Sequence, residues 1–431
     1  MTTGKFASTR TIVSLAAVSL LVSFLLVGGA WAKGARPPVE PGKVGMDAAK
    51  LATLRTELQK LVDTKQIAGA VTVIGRKGHL ASFEVVGQRD VENARPMETD
   101  TVFRIASMSK IATAVAVMML EEDGKLSVDD PVQKHLPEFR GHKLIKSMNG
   151  DTITLAAPER PITIKDLMTH TSGMNCSLPA GFADLHSKRN RPLAEAIAGI
   201  SQHPLISPPG KIWKYCGPAY DTLGRIVEVA AGQPFEAFLD RRIFRPLGMK
   251  DTTFHPTAAQ RARLAIIYDY DSDKKTIKRA EKQDFSPENV IYPAASGGLF
   301  STALDYAKLG QLLADKGSFG GKPLLRPETV AKMASVHFTY AEKVGFTPGL
   351  GMGLGVQVVM KPLEVTAMLP PGSFGHGGAW GTQTWIDPKN ELYFVLMIQR
   401  HGFGNGDMSD IRKILQEIGE AALIPKTAAA P

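Results

Sequence analysis

Arg104 to Lys125 read RIASMSKIATAVAVMMLEEDGK, and from Ile111 to Leu120 every residue is Ile, Ala, Thr, Val, Met or Leu. A run that is apolar on every side reads as a helix enclosed by the rest of the molecule, not one laid on its surface. Gly124 stands where a left-handed C-terminal cap is wanted. At the head of the run, Ser107 and Lys110 lie three residues apart, on one helix face. A lysine is rarely buried without a partner, so Lys110 either reaches solvent at the helix start or serves a chemical purpose there. Ser107 supplies such a purpose. An apolar setting lowers a lysine's pKa, a neutral amine can take a serine's proton, and a helix N-terminus favours the developing negative charge.

A fold that encloses this helix must be sizeable, and the chain of 431 residues, 44% hydrophobic and 22% charged, has a globular balance. Upstream, Leu51, Leu54, Leu58, Leu61 and Val62 fall at helical spacing, and AVTVIG and LASFEVVG form two strands around the turn RKGH. Downstream, TQTWI and LYFVLMI flank the turn DPKNE. MSDIRKILQEIGEAAL then shows apolar residues at Ile411, Ile414, Leu415 and Ile418, a second amphipathic helix. Hairpins and helices at both ends, with a mostly helical middle, imply an α/β (α+β) architecture. The two ends of one discontinuous unit would share an antiparallel sheet flanked by helices, with the helical middle packed against it. This unit is expected to run from 44 to 424, after the Pro/Gly-rich linker 33–43 and before a disordered tail, 425–431. Residues 136–160 and 338–374 read as loops without a decodable motif.

Residues 1–32 have the form of a signal peptide. Lys5 and Arg10 supply basic charge, IVSLAAVSLLVSFLLVGG the apolar stretch, and Ala30-Trp31-Ala32 a cleavage site. The expected location is the periplasm or the exterior, with no stable membrane span once the segment is cleaved. Left uncleaved, the uncharged residues 11–32 would be an anchor. In an exported chain Cys176 and Cys216 are either a disulfide or two buried thiols. The net charge of +9 is scattered, with no basic stripe interleaved with aromatics, which argues against nucleic acid as a partner.

Other hydrolase chemistries lack their residues. There is no G-x-S-x-G elbow, no H-E-x-x-H and no Cys/His cluster. Asp269, Asp271 and Asp273 imitate the start of a calcium loop, but Lys274 and Ala280 stand where glycine and glutamate are required. No metal and no cofactor is expected. A second S-x-x-K, Ser272 to Lys275, lies in the charged turn DYDSDKK.

FRIASMSK, ITIKDLMTHTSGM, WKYCGPAYDTLGRIVEVAAGQPFEAFLDRRIFRPLGM and GSFGHGGAWGTQTWIDP together resemble the serine β-lactamase-related family. That family comprises class C β-lactamases, penicillin-binding DD-peptidases, D-aminopeptidases and β-lactamase-like esterases. The resemblance runs from about residue 45 to 418 and implies a β-lactamase/transpeptidase-like fold. The family's ordered elements are S-x-x-K, a tyrosine-centred Y-x-N, and K-T-G or H-x-G on a strand. Here they fall at Ser107–Lys110, Tyr215 and His376-Gly377-Gly378. By this likeness Ser107 is the acylated nucleophile, and Lys110 and Tyr215 exchange its proton, with the base unassigned between them. The N–H groups of Ser107 and Ala379 form the oxyanion hole. His376 orients the substrate, while Gly377 and Gly378 let the strand approach it closely.

One departure bears on the substrate. Y-x-N becomes Tyr215-Cys216-Gly217, and His376 replaces the lysine of K-T-G. The asparagine that reads an amide and the lysine that engages a carboxylate are both missing, which favours an esterase over a β-lactamase or a D-amino-acid peptidase. The implied partner is a small-molecule ester, β-lactam or peptide. A penicillin-binding-type sensor that acylates without turnover is the reading from another class. Tyr220 and Trp380 are cleft-lining candidates, His170 reads as a structural loop histidine, and a Cys176–Cys216 bridge would stiffen the rim. The SGGLFST segment, Ser296 to Thr302, reads as backbone shaping.

Overall fold

A computed structural model describes residues 38–177, 189–283, 290–339, 347–403 and 408–425. The expected signal peptide and nearly all of the expected tail lie outside them, and Pro41–Val44, at the end of the expected linker, form a 3-10 helix.

The expected sheet is present, with eight strands. Strands β1 (Gly69–Arg76), β2 (His79–Asp90) and β3 (Arg95–Pro96) come from the N-terminal side. From the C-terminal side come β6 (Leu350–Met352), β7 (Gln357–Val359), β8 (Phe374–Gly377), β9 (Gln383–Asp387) and β10 (Leu392–Met397). The order is β6-β7-β8-β9-β10-β1-β2-β3, antiparallel throughout. The ends of the chain meet at the β1–β10 ladder, where Val71 faces Met397 and Arg76 faces Leu392.

Alternation along these strands feeds two cores. Val71, Val73, Tyr393, Val395 and Met397 join one hydrophobic cluster with α2 (Ser109–Glu122) and α6 (Ala303–Ala314). Ala70, Ile74, Leu392, Phe394 and Leu396 join the other with α1 (Ala48–Asp63) and α7 (Asp410–Ala421), whose Leu51, Leu54, Leu58, Ile411 and Leu415 are buried there. Both terminal helices are amphipathic because only one side of each meets the sheet.

Helix α2 is enclosed as its composition requires: every residue from Ser109 to Leu120 is buried. It packs between the sheet and the helical region, which includes α3 (Ile164–Met168), α4 (Leu193–Ile200) and α5 (Gly217–Ala231). Asp123 closes it, followed by Gly124 at φ +68°.

Two stretches that read as loops contain strands. Within 136–160 lies an exposed hairpin of β4 (Leu144–Asn149) and β5 (Thr152–Ala156). Within 338–374 lie β6 and β7, three residues each and too short to show a period of two. Tertiary contact makes them strands. Gly355, at φ +82° between them, sits where a Cβ would lie 2.2 Å from the Ala114 Cβ of α2, so the hairpin docks directly on the buried helix.

Candidate active site

The chain approaches Ser107 through Phe103–Arg104, which pairs with Phe300–Ser301. Ala106 then takes φ +46°, a left-handed conformation that costs a non-glycine residue energy and collects at functional sites. A 3-10 helix, Ala106–Met108, follows and leads into α2. This turn is pinned by its neighbours. The Tyr306 hydroxyl donates to Met108 O at 2.6 Å, and the Ser109 hydroxyl donates to Ala106 O at 2.7 Å.

Three residues singled out in the sequence converge here from separate elements. Lys110 Nζ donates to Ser107 Oγ at 3.2 Å and to Ser296 O at 2.5 Å. The Tyr215 hydroxyl, from the irregular stretch before α5, donates to Ser107 Oγ at 2.6 Å. Lys110 is buried, and its Nζ lies 4.7 Å from the Tyr215 ring centroid and 5.3 Å from that of Tyr220. The buried lysine is therefore held by a hydroxyl, a carbonyl and two aromatic faces. Such an arrangement can pass a proton between Ser107, Lys110 and Tyr215 without side-chain movement.

His376, on β8, is buried, with its ring 6.1 Å from that of Tyr215. Its Nδ1 donates to Gly377 O at 2.7 Å, which leaves Nε2 as an acceptor. Burial, reinforced by the charge of Lys110, lowers its pKa to about 3, so it is neutral at working pH. His376 thus brings no cation to the place where lysine stands in K-T-G.

The turn after β8 carries Gly378 and Ala379. The Gly378 N–H is committed to Thr382 O at 2.7 Å. A Cβ on Gly378 would lie 2.4 Å from Ile105 O, so the close approach this glycine allows is to the segment that bears Ser107. The Ala379 N–H has no hydrogen-bond partner among the described residues, and Ala379 packs against a cluster containing Ala106 and Trp380. Trp380 Nε1 in turn donates to His401 Nε2 at 2.5 Å, and His401 Nδ1 meets Asp269 Oδ1 at 2.5 Å, which anchors the turn.

Three contributors escaped the sequence reading. The Ser296 carbonyl accepts from Lys110, a role invisible in a motif because any residue has a carbonyl. Asp221 holds that peptide by accepting from Ser296 N at 2.9 Å. The one available signal was a carboxylate among the mostly apolar residues that α5 buries. His170, read as a loop histidine, lies against Tyr215 with ring centroids 4.5 Å apart. Tyr220 is buried behind the site with its hydroxyl on Met168 O at 2.8 Å. Cys176 and Cys216 are joined as a disulfide, the second directly after Tyr215. Among the described residues no group of three or more His, Cys, Asp or Glu side chains is placed to hold a metal ion.

Comparison with known proteins places this geometry in context. The family model described as Beta-lactamase matches residues 54–417. Esterase EstB of Burkholderia gladioli is 29% identical over 386 residues, covering 83% of this chain and 93% of its own. Lovastatin esterase of Penicillium rubens is 30% identical over 391 residues, covering 83% and 95%. Other relatives bear the name putative D-alanyl-D-alanine carboxypeptidase. Among solved structures, EstCE1, a hydrolase with promiscuous acyltransferase activity, superposes with a TM-score of 0.72 at 26% identity over 88% of this chain and 99% of its own. With a family match across nearly the whole folded unit and relatives aligned over most of both chains, this protein belongs to the β-lactamase family of serine hydrolases.

Proposed function

We propose that this protein is an exported esterase that cleaves uncharged esters through an acyl-enzyme on Ser107. The observation that carries the reading is the position of Ser107 Oγ, 3.2 Å from Lys110 Nζ and 2.6 Å from the Tyr215 hydroxyl in a buried setting. In the reacting state one of these two partners is deprotonated and takes the serine proton as Oγ attacks the ester carbon. The carbonyl oxygen becomes an oxyanion facing the N–H groups of Ser107 and Ala379. Collapse expels the alcohol, which receives the proton back. Water then attacks the acyl-enzyme, the same groups remove its proton, and the acid leaves with Ser107 restored.

The neutral His376 supports the ester preference. A site without the K-T-G lysine and the Y-x-N asparagine has lost two groups that would read the carboxylate and amide of a β-lactam or D-amino-acid peptide. The esterase names of two relatives fit this reading. Export rests on residues 1–32, read as a signal peptide ahead of a catalytic unit at 44–424, and the disulfide suits an oxidising compartment.

The test compares steady-state hydrolysis of p-nitrophenyl butyrate and a chromogenic cephalosporin by the mature protein and by Ser107→Ala. Ester turnover that needs Ser107, with little cephalosporin turnover, is the expected result. A preference for the cephalosporin overturns the ester assignment. Stoichiometric labelling without product release identifies a sensor instead. N-terminal sequencing of protein recovered from the periplasm or medium checks cleavage after Ala32.

A further inference from the structure

Tyr215 sits in a stretch, 211–216, that has no helix or strand to fix it. Hydrogen bonds to one residue hold the backbone on both of its sides. The carbonyl of His170 accepts from Lys214 N at 2.8 Å, and its Nδ1 accepts from Cys216 N at 3.1 Å. The imidazole also lies against the Tyr215 ring at 4.5 Å and the Tyr220 ring at 4.9 Å. To do this His170 adopts φ +61° and is only 1% exposed.

The tautomer follows from the contacts. Nδ1 can accept only if the ring is neutral with its proton on Nε2. Nε2 is buried without a hydrogen-bond partner among the described residues. Burial, with the charge of Lys110 nearby, holds the imidazole well below its ordinary pKa, which keeps the acceptor available. A left-handed backbone and an unpaired buried N–H are both unfavourable, and such features persist where the surroundings impose them. Here the imposition has an evident object, since both His170 acceptors bind peptides that flank the tyrosine on Ser107.

We propose that His170 is the positioning residue for Tyr215, its backbone carbonyl and Nδ1 clamping residues 214 and 216 so that the phenol stays on Ser107 Oγ. The proposal rests on the reading that Ser107 is acylated. It differs from a packing role in a measurable way. Loss of Nδ1 leaves the chain attached through the disulfide and the Lys214 bond, so the enzyme remains folded with its tyrosine out of line.

The experiment measures kcat and KM for p-nitrophenyl butyrate per active site, with sites counted by mass after labelling with a fluorophosphonate. His170→Ala and His170→Gly, both without the acceptor, should lose about 10- to 100-fold in kcat with KM within about threefold, the scale of a misplaced catalytic group. His170→Asn should stay within about fivefold of wild type. Its amide oxygen can stand in for Nδ1, and asparagine tolerates positive φ. A packing role alone would instead reduce the labelled fraction and leave kcat per labelled site unchanged. Should His170→Ala not fold, the glycine variant, which the backbone favours, carries the test.

The proposal is overturned by alanine and glycine variants within twofold of wild type per labelled site, or by an asparagine variant as slow as alanine. If wild-type Ser107 takes no label at all, the acyl-enzyme reading fails and this inference falls with it. Labelling of the wild type and of His170→Ala at equal rates removes this inference alone.

Discussion

Replacement of Gly378 by alanine tests the proposed oxyanion turn at its tightest point. The added Cβ would lie 2.2 Å from Thr382 Oγ1 and 2.4 Å from Ile105 O, where ordinary contact begins at 3.4 Å. The hydroxyl can rotate, but the Ile105 carbonyl is held in place, accepting from Met108 N at 3.1 Å and from Thr382 Oγ1 at 3.1 Å. Relief therefore requires the turn carrying Ala379 and the segment carrying Ser107 to part by about 1 Å. A displacement of that size costs on the order of 100-fold in rate, and complete loss of one oxyanion donor costs about 100- to 1,000-fold. We expect kcat for p-nitrophenyl butyrate to fall by about 100- to 1,000-fold with KM nearly unchanged, because the oxyanion exists only beyond the ground state. Overpacking should also destabilise the fold by about 1–3 kcal/mol, visible as a lower thermal midpoint with an unchanged circular dichroism spectrum. A Gly378→Ala enzyme that folds normally and keeps kcat within threefold would refute the argument, because the second donor would then lie elsewhere.

Tyr215→Phe removes the 2.6 Å hydrogen bond to Ser107 while keeping the ring, and should lower kcat by about 100- to 10,000-fold with little change in KM; a loss under threefold would take Tyr215 out of the proton path. His376 should make the fold acid-sensitive. Its pKa is about 3 in the native state and 6.5 when unfolded, so between these values the unfolded chain binds the extra proton and stability falls as pH falls. At pH 5 the loss relative to neutral pH is about 2 kcal/mol. Glu420, whose pKa burial and Asp387 push up to about 8, acts with the opposite sign. The informative quantity is therefore the difference in urea midpoint between wild type and His376→Gln from pH 7.5 to pH 5, and parallel curves would contradict the assignment. The disulfide closes a loop of 40 residues, worth about 4 kcal/mol in chain entropy. Verified reduction, or Cys176→Ser, should lower the midpoint accordingly and slow turnover through the adjoining Tyr215, whereas an unchanged midpoint would show that the bridge adds no stability.

Local pattern was enough for the elements whose surroundings are uniform. The apolar run 111–120 announced an enclosed helix because burial on all sides leaves no polar face. The terminal helices and hairpins announced themselves because each meets the sheet on one side or alternates between two cores. The order S-x-x-K, tyrosine, H-x-G likewise made Ser107, Lys110, Tyr215 and His376 candidates before any coordinates. The short strands β6 and β7 left no such trace, since three residues cannot display a period and their conformation depends on neighbours and on the glycine that meets Ala114.

The sequence by itself determined which residues could react: a serine and a lysine one turn apart, a tyrosine, and a histidine between glycines. The three-residue spacing of Ser107 and Lys110 already places them on one helix face, where they meet at 3.2 Å, but spacing says nothing of the 2.6 Å contact with Tyr215, which crosses 108 residues of chain. Only the tertiary structure decided that the Ser296 carbonyl holds Lys110, that Asp221 holds Ser296, and that His170 brackets Tyr215. Backbone carbonyls and amides are common to all residues, and the Asp221 carboxylate and His170 imidazole that meet them lie 75 and 46 residues away along the chain, so these pairings are set by where the chain passes.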